Sequence, residues 1–284
     1  MSTRENIPRE NPDSLSAAGI APHLWAGVDP ALVEVFPCLG STNDLAKEKA
    51  LAGAPAGTVI IADEQTKGRG RKNRTFFSPP AAGVYLSVIL RPRLRGENAI
   101  WLTTAAAAAT AQAIESLADC RVEIKWVNDL YLAGKKIAGI STEAVADWES
   151  GGIGFGMGFV VIGVGVNVKS GKDGFPAELA DKAGAIGDLV AAPVSRDRLA
   201  AAMINRLLAL TRELEADPAG RGASLIAEAR QRSCVLGRRI LIEGDDRLTA
   251  GTAMDLDELG FLVVEDEAGE RRVLRSAEVS LRLR

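Results

Sequence analysis

Residues 67–74 read Lys-Gly-Arg-Gly-Arg-Lys-Asn-Arg, so five cationic side chains and two glycines stand within eight residues. This stretch follows the apolar run 58–62, which predicts a buried strand. Glycine lets a backbone wrap closely around a ligand, and arginine offers forked donors that match phosphate and carboxylate oxygens. We interpret the stretch as an anion-binding loop that follows a core strand. On composition alone, a solvated basic loop is the alternative.

The composition narrows the class of ligand and the cellular setting. The 284 residues carry a formal net charge of −3, so a small anionic ligand fits better than a DNA backbone. Three widely spaced cysteines without a CxxC pair suit a reducing cytoplasm and argue against disulfides or a zinc site. The single histidine, His23, argues against histidine-based catalysis. Neither a signal peptide nor a membrane-spanning run is visible, so we expect a cytoplasmic protein without a membrane partner.

The hydrophobic pattern divides the chain into three parts. Residues 1–30 are polar and then rich in Pro, Ala and Gly, which predicts a flexible N-terminal arm. Residues 31–232 alternate strand and helix patterns and predict one large domain. Residues 233–284 contain short strands separated by acidic, glycine-containing turns and predict a small β-barrel. Strands are expected at 32–36, 58–62, 83–90, 122–126, 136–144 and 159–168, and helices at 41–50, 103–117, 195–210 and 224–230.

Two short polar segments stand beside predicted core strands. Residues 41–43, Ser-Thr-Asn, precede a helix, either as a simple cap or with their hydroxyl and amide groups aimed at a small polar ligand. Residues 125–129, Lys-Trp-Val-Asn-Asp, end a strand. An Asn-Asp turn is the structural interpretation of that ending. The functional interpretation gives Asp129 a magnesium-binding or nucleotide-orienting role.

Two glycine-containing segments follow. Residues 134–139, Gly-Lys-Lys-Ile-Ala-Gly, put Lys136 at the start of an apolar strand, where a cation can meet a buried anion. Residues 163–167, Gly-Val-Gly-Val-Asn, place glycines in a core strand. Such glycines indicate either close approach of a ligand or tight packing of the strand itself.

Taken together and in this order, the segments resemble those of bacterial biotin protein ligases. These enzymes activate biotin as its adenylate and attach it to a lysine of a carrier protein. The resemblance runs from about Phe36 to the C-terminus, and its motifs are GRGRxxR at 68–74, KW(P)ND at 125–129, Lys136 before Ala-Gly, and GxGxN at 163–167. It implies an α+β fold: a mixed β-sheet catalytic domain flanked by helices (class II synthetase-like), followed by a small SH3-like β-barrel.

The chain departs from the family pattern in three places. Val127 stands where the family usually has proline, and Phe76 stands where it usually has tryptophan. Some members also carry an N-terminal winged-helix domain and repress transcription. Here only about thirty residues precede the resembling core, without a two-helix pattern. We therefore expect an enzyme without a repressor function and without a DNA partner.

The resemblance also implies the roles of individual residues. Lys136 and Arg71 would be catalytic, and Lys136 would bridge the biotin carboxylate and the α-phosphate of ATP. Biotin would be bound by Ser41, Thr42, Asn43, Gln65, Gly68, Arg69, Arg71, Lys136, Gly139 and Gly163. ATP would be bound by Arg69, Arg71, Arg74, Lys125, Asn128, Asp129, Lys136 and Asn167, with Asp129 near Mg²⁺. A biotin carboxyl carrier protein of a carboxylase is the implied partner, and a homodimer is compatible with the family.

Other classes of protein are alternatives to this interpretation. A lipoate or octanoate ligase shares this fold, but its linear apolar substrates need no partners for a ureido ring. A buried polar group without a partner costs about 1–3 kcal/mol, so the hydroxyls of 41–42 and the amide of Gln65 favour biotin. An octanoyl transferase would need a reactive cysteine, and Cys120 is interpreted as structural. A non-enzymatic sensor or DNA-binding regulator would need a basic surface or a helix-turn-helix, and the sequence shows neither.

Overall fold

The computed structural model describes residues 15–70, 74–94, 99–146, 157–243, 248–275 and 278–281. A seven-stranded sheet forms its centre, in the order β1-β2-β3-β7-β6-β5-β4. Only the β1–β2 pair is parallel, and the other neighbouring strands of this sheet are antiparallel. The strands are β1 (Val33–Phe36), β2 (Val59–Ala62), β3 (Gly83–Leu90), β4 (Glu123–Lys125), β5 (Asp129–Leu132), β6 (Lys135–Ala146) and β7 (Met157–Asn167).

Helices cover both faces of this sheet. They are α1 (Ala17–Ile20), α2 (Thr42–Leu51), α3 (Ala99–Glu115), α4 (Ala177–Ala180), α5 (Ile186–Leu189), α6 (Arg196–Ala216) and α7 (Pro218–Arg232). Helix α2 packs on one face, and α3 and α6 pack on the other, with α7 against α3. Successive residues of β2 enter different clusters, since Ile60 packs on the α2 side and Ile61 joins the larger core. Burial on both faces explains why β2 and β3 are apolar along nearly their whole length.

The alanine-rich helix α3 lies in the most crowded layer of the molecule. Its alanines from 105 to 109 are all buried, and the helix contacts α6, α7 and strands of the sheet. Alanine is the strongest helix former and the smallest side chain with a Cβ, so this segment stays helical while neighbours approach on several sides. The sequence placed this helix at 103–117, and the structure begins it earlier, at Ala99.

Strand β5 was not predicted from the sequence, which offered a turn at Asn128-Asp129 as one interpretation; the structure has a turn at 126–128 and begins β5 at Asp129. In the structure Asp129 pairs with Lys125 of β4 and with Gly139 of β6. Ala133 and Gly134 both have positive φ and connect β5 to β6 as a two-residue turn. The strand escaped detection because four residues between two turns are too short to show a period.

The segment before β1 lies along α6. Ile20 is fully buried, and the backbone N–H of Ser16 donates to Asp197 Oδ1 at 3.0 Å. The amide of Asn205 accepts from the backbone N–H of Trp25 and donates to the carbonyl of His23, both at 2.9 Å. The second half of the predicted arm is thus in contact with α6, and residues 1–14 lie outside the described residues.

The last part of the chain forms a second, antiparallel sheet in the order β11-β10-β9-β8-β12. Its strands are β8 (Arg239–Glu243), β9 (Leu248–Leu256), β10 (Leu262–Asp266), β11 (Arg271–Leu274) and β12 (Glu278–Leu281). Among the described residues, hydrogen bonds from the segment that leads into this sheet and to its β9–β10 turn connect it to the β4 end of the first sheet. The backbone N–H of Cys234 donates to the carbonyl of Ile124 at 3.0 Å, and Trp126 Nε1 donates to the carbonyl of Gly260 at 2.9 Å.

A buried ion cluster joins α3 and α7. The guanidinium of Arg232, only 6% exposed, donates to both carboxylate oxygens of Glu115 at 2.7 and 2.9 Å. It also donates to Glu228 at 2.8 Å, within its own helix. Burial raises the pKa of the Glu115 carboxyl, but the hydrogen bonds from Arg232 and from the backbone of Val122 outweigh it and hold the pKa below its usual value.

Within the described ranges, none of the helices combines the length and the apolar character that a lipid bilayer requires.

Candidate active site

A cleft of about 470 Å³, open to solvent, lies on the α2 face of the seven-stranded sheet. The N-terminal end of α2, the loop after β2 and the middle of strands β6 and β7 form its walls. It brings together most of the residues proposed from the sequence, although they are spread over more than a hundred positions. The proposed residues that line it are Ser41, Thr42, Asn43, Gln65, Arg69, Asn128, Asp129, Lys136, Gly139 and Gly163.

Several proposed residues lie elsewhere. Gly68 is not among the residues that line the cleft, and its carbonyl accepts from the backbone N–H of Phe76 at 2.9 Å. Lys125 Nζ lies 5.7 Å from the centre of the Tyr131 ring, and Asn167 Nδ2 donates to the carbonyl of Gly184 at 3.1 Å. These two and Arg74 are not among the residues that line the cleft. Arg71 lies outside the described residues.

The start of α2 forms one end of the cleft. Ser41 has the extended backbone of an N-cap, but its side chain makes no capping hydrogen bond, so the predicted side-chain cap is absent. The backbone N–H and the hydroxyl of Thr42 lie 2.9 and 3.1 Å from Gln65 Oε1. Because a backbone N–H can only donate, this contact fixes which end of the Gln65 amide is the oxygen.

Asn43 is held from three sides beneath Thr42. Its Nδ2 donates to Ser141 Oγ at 3.0 Å and to Glu143 Oε1 at 2.9 Å. Its Oδ1 accepts from Ser87 Oγ at 2.6 Å. Lys47, one turn further along α2, pairs with the other carboxylate oxygen of Glu143 at 3.0 Å. These contacts bind the start of α2 to two strands of the sheet, β3 and β6.

The glycines of β6 and β7 make room for side chains that lie over this face of the sheet. A Cβ at Gly163 would overlap the amide of Asn43 and stand 2.7 Å from Ser141 Oγ. A Cβ at Gly165 would stand 2.5 Å from the ring of Phe76, and one at Gly139 would stand 3.2 Å from it. In this structure, therefore, the space above these glycines is filled by an amide and an aromatic ring of the protein.

The cleft also contains two ion pairs. Lys136 Nζ pairs with Asp129 Oδ1 at 2.6 Å, and Arg69 Nη2 pairs with Asp44 Oδ2 at 3.1 Å. Asn128 holds the turn before Asp129, because its Nδ2 donates to the carbonyl of Ile140 at 2.8 Å. The end of the cleft at the start of α2, the polar end, thus offers neutral hydroxyl and amide groups, with Arg69 paired to the first turn of that helix, and Lys136 supplies a cation at the start of β6. That arrangement suits a ligand with a polar uncharged head and an anionic tail.

Sequence reasoning missed several side chains of the site, chiefly Ser87, Ser141 and Glu143. A signal for two of them was present, because residues 139, 141 and 143 of one strand share a face. In the mostly apolar run that follows Lys136, the sequence Gly-x-Ser-x-Glu marks that face as one that meets polar groups. Ser87 showed no such signal, because its partners come from distant segments.

Gly163→Ala tests the fit of Asn43 over the sheet. The added methyl group would displace the Asn43 amide, and over-packing of this kind costs about 1–3 kcal/mol. We expect the affinity for the ligand of the polar end to fall about tenfold or more, measured by calorimetry. Gly40→Ala is the matched control, because a Cβ there meets nothing within 4 Å. Equal affinities for the two variants would contradict the assigned packing.

Two parts of the chain match described protein families. Residues 35–167 match the Biotin/lipoate A/B protein ligase family, and residues 235–282 match the Biotin protein ligase C terminal domain. The first range contains every residue that lines the cleft. The second contains the whole of the five-stranded sheet.

Curated relatives resemble the chain over most of its length. The Biotin--[acetyl-CoA-carboxylase] ligase of Mycobacterium tuberculosis is 33% identical over 270 residues, 92% of this chain and 92% of that protein. The protein of the same name from Paracoccus denitrificans is 31% identical over 250 residues, 84% of this chain and 96% of its own length. The Bifunctional ligase/repressor BirA of Bacillus subtilis is 32% identical over 244 residues, 86% of this chain and 72% of that protein.

A solved structure matches the fold. The biotin protein ligase from Aquifex aeolicus, solved in complex with biotin and ATP, aligns with a TM-score of 0.74 at 24% identity. The alignment covers 88% of this chain and 98% of that chain. The fold class expected from the sequence, a mixed sheet with helices followed by a small all-β unit, is confirmed.

Proposed function

We propose the reaction of this enzyme from the premise that the chain belongs to the biotin protein ligase family. The prediction of a ligase that acts on biotin is confirmed by these relatives, and they favour it over the lipoate and octanoate alternative. The enzyme activates biotin with ATP to biotinyl-5'-AMP and transfers the biotinyl group to a lysine of a biotin carboxyl carrier protein.

The observation that carries this proposal is the polarity of the cleft. Biotin has an uncharged cyclic urea at one end and a carboxylate at the other. The urea would lie at the end formed by Ser41, Thr42 and Gln65, which offers hydroxyl and amide groups. The carboxylate and the phosphates of ATP would lie beside Lys136, and Arg69 would supply a second cation to the cleft.

In the first half-reaction a carboxylate oxygen of biotin attacks the α-phosphorus of ATP. The new P–O bond replaces the bond to pyrophosphate, which leaves with its electron pair. Negative charge builds up between the two substrates, where Lys136 Nζ would exchange its contact with Asp129 for contacts with the reacting oxygens. Holding both substrates in one cleft converts a bimolecular encounter into a reaction of neighbours.

Magnesium belongs to this proposal as a companion of ATP. Among the described residues there is no group of three or more His, Cys, Asp or Glu side chains that could hold a metal ion. Asp129 offers a single carboxylate. Mg²⁺ commonly binds through one or two carboxylates together with substrate phosphates, so this donor set fits an ion that enters with the nucleotide. Asp129 would be its protein contact, and the ion would neutralise phosphate charge.

In the second half-reaction the amine of the carrier lysine attacks the acyl carbon of the adenylate. AMP leaves with the electron pair of the broken C–O bond, and the amine loses a proton as the amide forms. The adenylate makes this step feasible, because AMP is a far better leaving group than the oxide of a free carboxylate. The homodimer, the absence of a DNA partner and the cytoplasmic location stay predictions.

Exchange of labelled pyrophosphate into ATP tests the first half-reaction. Purified protein with Mg²⁺ is assayed with biotin, lipoate and octanoate in parallel. We expect exchange with biotin only, because only biotin carries a cyclic urea for the polar end of the cleft. Exchange with lipoate or octanoate instead would overturn the assignment of the substrate and the reading of Ser41, Thr42 and Gln65.

A further inference from the structure

Glu143 lies beside the polar end of the cleft but does not line it. It stands on the cleft face of β6, two residues beyond Ser141. Its two carboxylate oxygens receive two different donors, Asn43 Nδ2 at 2.9 Å and Lys47 Nζ at 3.0 Å. The carboxylate therefore contacts α2 twice, one turn apart, and one of the two contacts is a residue of the cleft.

Of the three side chains that contact Asn43 in this cluster, Glu143 is the one that can only accept a hydrogen bond. The hydroxyls of Ser141 and Ser87 can each donate or accept, so they accommodate either orientation of the Asn43 amide. An ionised carboxylate accepts only. Glu143 therefore keeps the Nδ2 of Asn43 on its own side and the Oδ1 on the side of Ser87.

This orientation of the Asn43 amide determines which acceptor receives the hydroxyl hydrogen of Ser87. Because the amide oxygen of Asn43 accepts only, Ser87 gives it its single hydrogen at 2.6 Å. Ser87 Oγ also lies 2.8 Å from Thr42 Oγ1, but it has no second hydrogen to give. Thr42 uses its own hydrogen within the protein, on Ser87 or on Gln65 Oε1. Its oxygen lone pairs stay available to a donor in the cleft.

The reversed arrangement would have the opposite effect. If the Asn43 amide were turned, its Nδ2 would donate to Ser87, and Ser87 would then donate to Thr42. The hydrogen from Ser87 would then occupy one of the two lone pairs of Thr42 Oγ1, which leaves only one for a ligand. An N–H group of a cyclic urea would meet a poorer acceptor.

We propose that Glu143 is a positioning residue that sets the direction of the hydrogen bonds from Asn43 through Ser87 to Thr42, so that Thr42 accepts an N–H of the bound urea. The proposal rests on the proposed function, since it assumes that the urea of biotin lies at this end. Lys47 supports Glu143 as its counter-ion, and Glu143 itself touches no substrate.

The charge state of Glu143 agrees with this assignment. Burial raises the pKa of its carboxyl, but the hydrogen bonds from Asn43 and Lys47 and the charge of Arg69 outweigh burial and lower the pKa. The carboxylate is thus ionised, and able only to accept, throughout the neutral range.

A variant that exchanges the two charges tests whether Glu143 orients the hydrogen bonds of Asn43 or only anchors α2 to β6. In the double variant Glu143→Lys, Lys47→Glu, the ion pair between α2 and β6 is restored with its sign reversed. A lysine at position 143 can only donate, so it would turn the Asn43 amide and reverse the relay. We expect the dissociation constant for biotin to rise about tenfold or more, as for a misdirected buried hydrogen bond, with KM for ATP unchanged.

The chain offers a matched control for this swap. Glu34 of β1 pairs with Lys49 of the same helix at 2.9 Å, and neither lines the cleft. Glu34→Lys, Lys49→Glu reverses that pair, and we expect biotin affinity within about twofold of the parent. Glu143→Gln is the second comparison, because its amide oxygen can still accept from Asn43. We expect nearly parental biotin affinity for Glu143→Gln, whereas a loss as large as that of the swap would show that charge, not direction, matters.

The remaining outcomes also decide the matter. Parental affinity of the Glu143/Lys47 swap would overturn the proposal. Should the swap not fold, a double-mutant cycle of Glu143→Ala and Thr42→Val replaces it. Losses of affinity that are less than additive support action through Thr42, and strictly additive losses contradict it. Failure of the parent protein to bind biotin would instead refute the proposed function.

Discussion

Lys136→Ala is expected to lower the rate of biotin-dependent pyrophosphate exchange by about 10²–10³-fold, the usual loss when one donor to a developing anion is removed. Lys136 is the cleft cation that stands at the start of β6, and its ion pair with Asp129 at 2.6 Å shows that it already binds a carboxylate there. The rate at saturating biotin and ATP is the decisive measurement. The affinity for biotin is expected to fall much less, because the polar end of the cleft stays intact.

Lys135→Ala is the matched control for this variant. Lys135 precedes Lys136 in the chain, but its Nζ donates to the carbonyls of Ala180 and Asp181 at 3.3 and 2.7 Å, away from the cleft. We expect its exchange rate to stay within about threefold of the parent, since a largely exposed contact of this kind contributes little. A rate for Lys136→Ala that matches that of Lys135→Ala would remove Lys136 from the reaction.

Arg232→Met is expected to lower the free energy of unfolding by about 3–5 kcal/mol, the usual cost of removing one partner of a buried ion pair. The variant keeps most of the side-chain volume but leaves the carboxylates of Glu115 and Glu228 without their shared cation. Denaturant unfolding at neutral pH measures the loss. Arg271→Met is the control, because that arginine is 67% exposed, its pair with Glu265 lies at the surface, and such pairs contribute about 0–1 kcal/mol.

The pH dependence gives this prediction a second test. The pKa of Glu115 is lowered in the folded protein, so its stabilising contribution is fully present above the ordinary value of 4.5 and is lost as the pH falls through the folded pKa. The difference in unfolding free energy between the parent and Arg232→Met is therefore expected to narrow in acid. A difference that is the same at neutral and acidic pH would contradict the role of the ionised pair.

The sequence predicted those parts of the fold and the site that are written in contiguous residues. Strand β3 has the bounds expected from its apolar run. The sequence also predicted Lys136 near the start of a core strand, and in the structure Lys136 stands there and lines the cleft. Those predictions needed only a period or a motif. The short strand β5 has no period of its own, and it becomes visible only through its pairing with β4 and β6.

The supporting side chains of the site could not be found in the same way. Glu143 reaches Asn43 across a hundred positions of sequence, and Ser87 reaches it across forty-four. Those contacts depend on the register of β3, β7 and β6, which decides that Ser87, Gly163 and Ser141 stand in one row. A one-residue slip of any strand would turn its member of the row to the opposite face.

The two ion pairs of the cleft have a consequence in a cell filled with free phosphates. Lys136 and Arg69 are each already neutralised by an acid, Asp129 and Asp44. A small mobile anion must displace the carboxylate that already pairs with the cation. It gains only the difference in binding free energy between the two contacts, so it competes poorly for these cations. A ligand whose uncharged head is bound at the polar end holds its anionic tail near the cations at a high effective concentration. The cleft without substrate is thereby selective for molecules that contact the hydroxyl and amide groups and the cations at the same time.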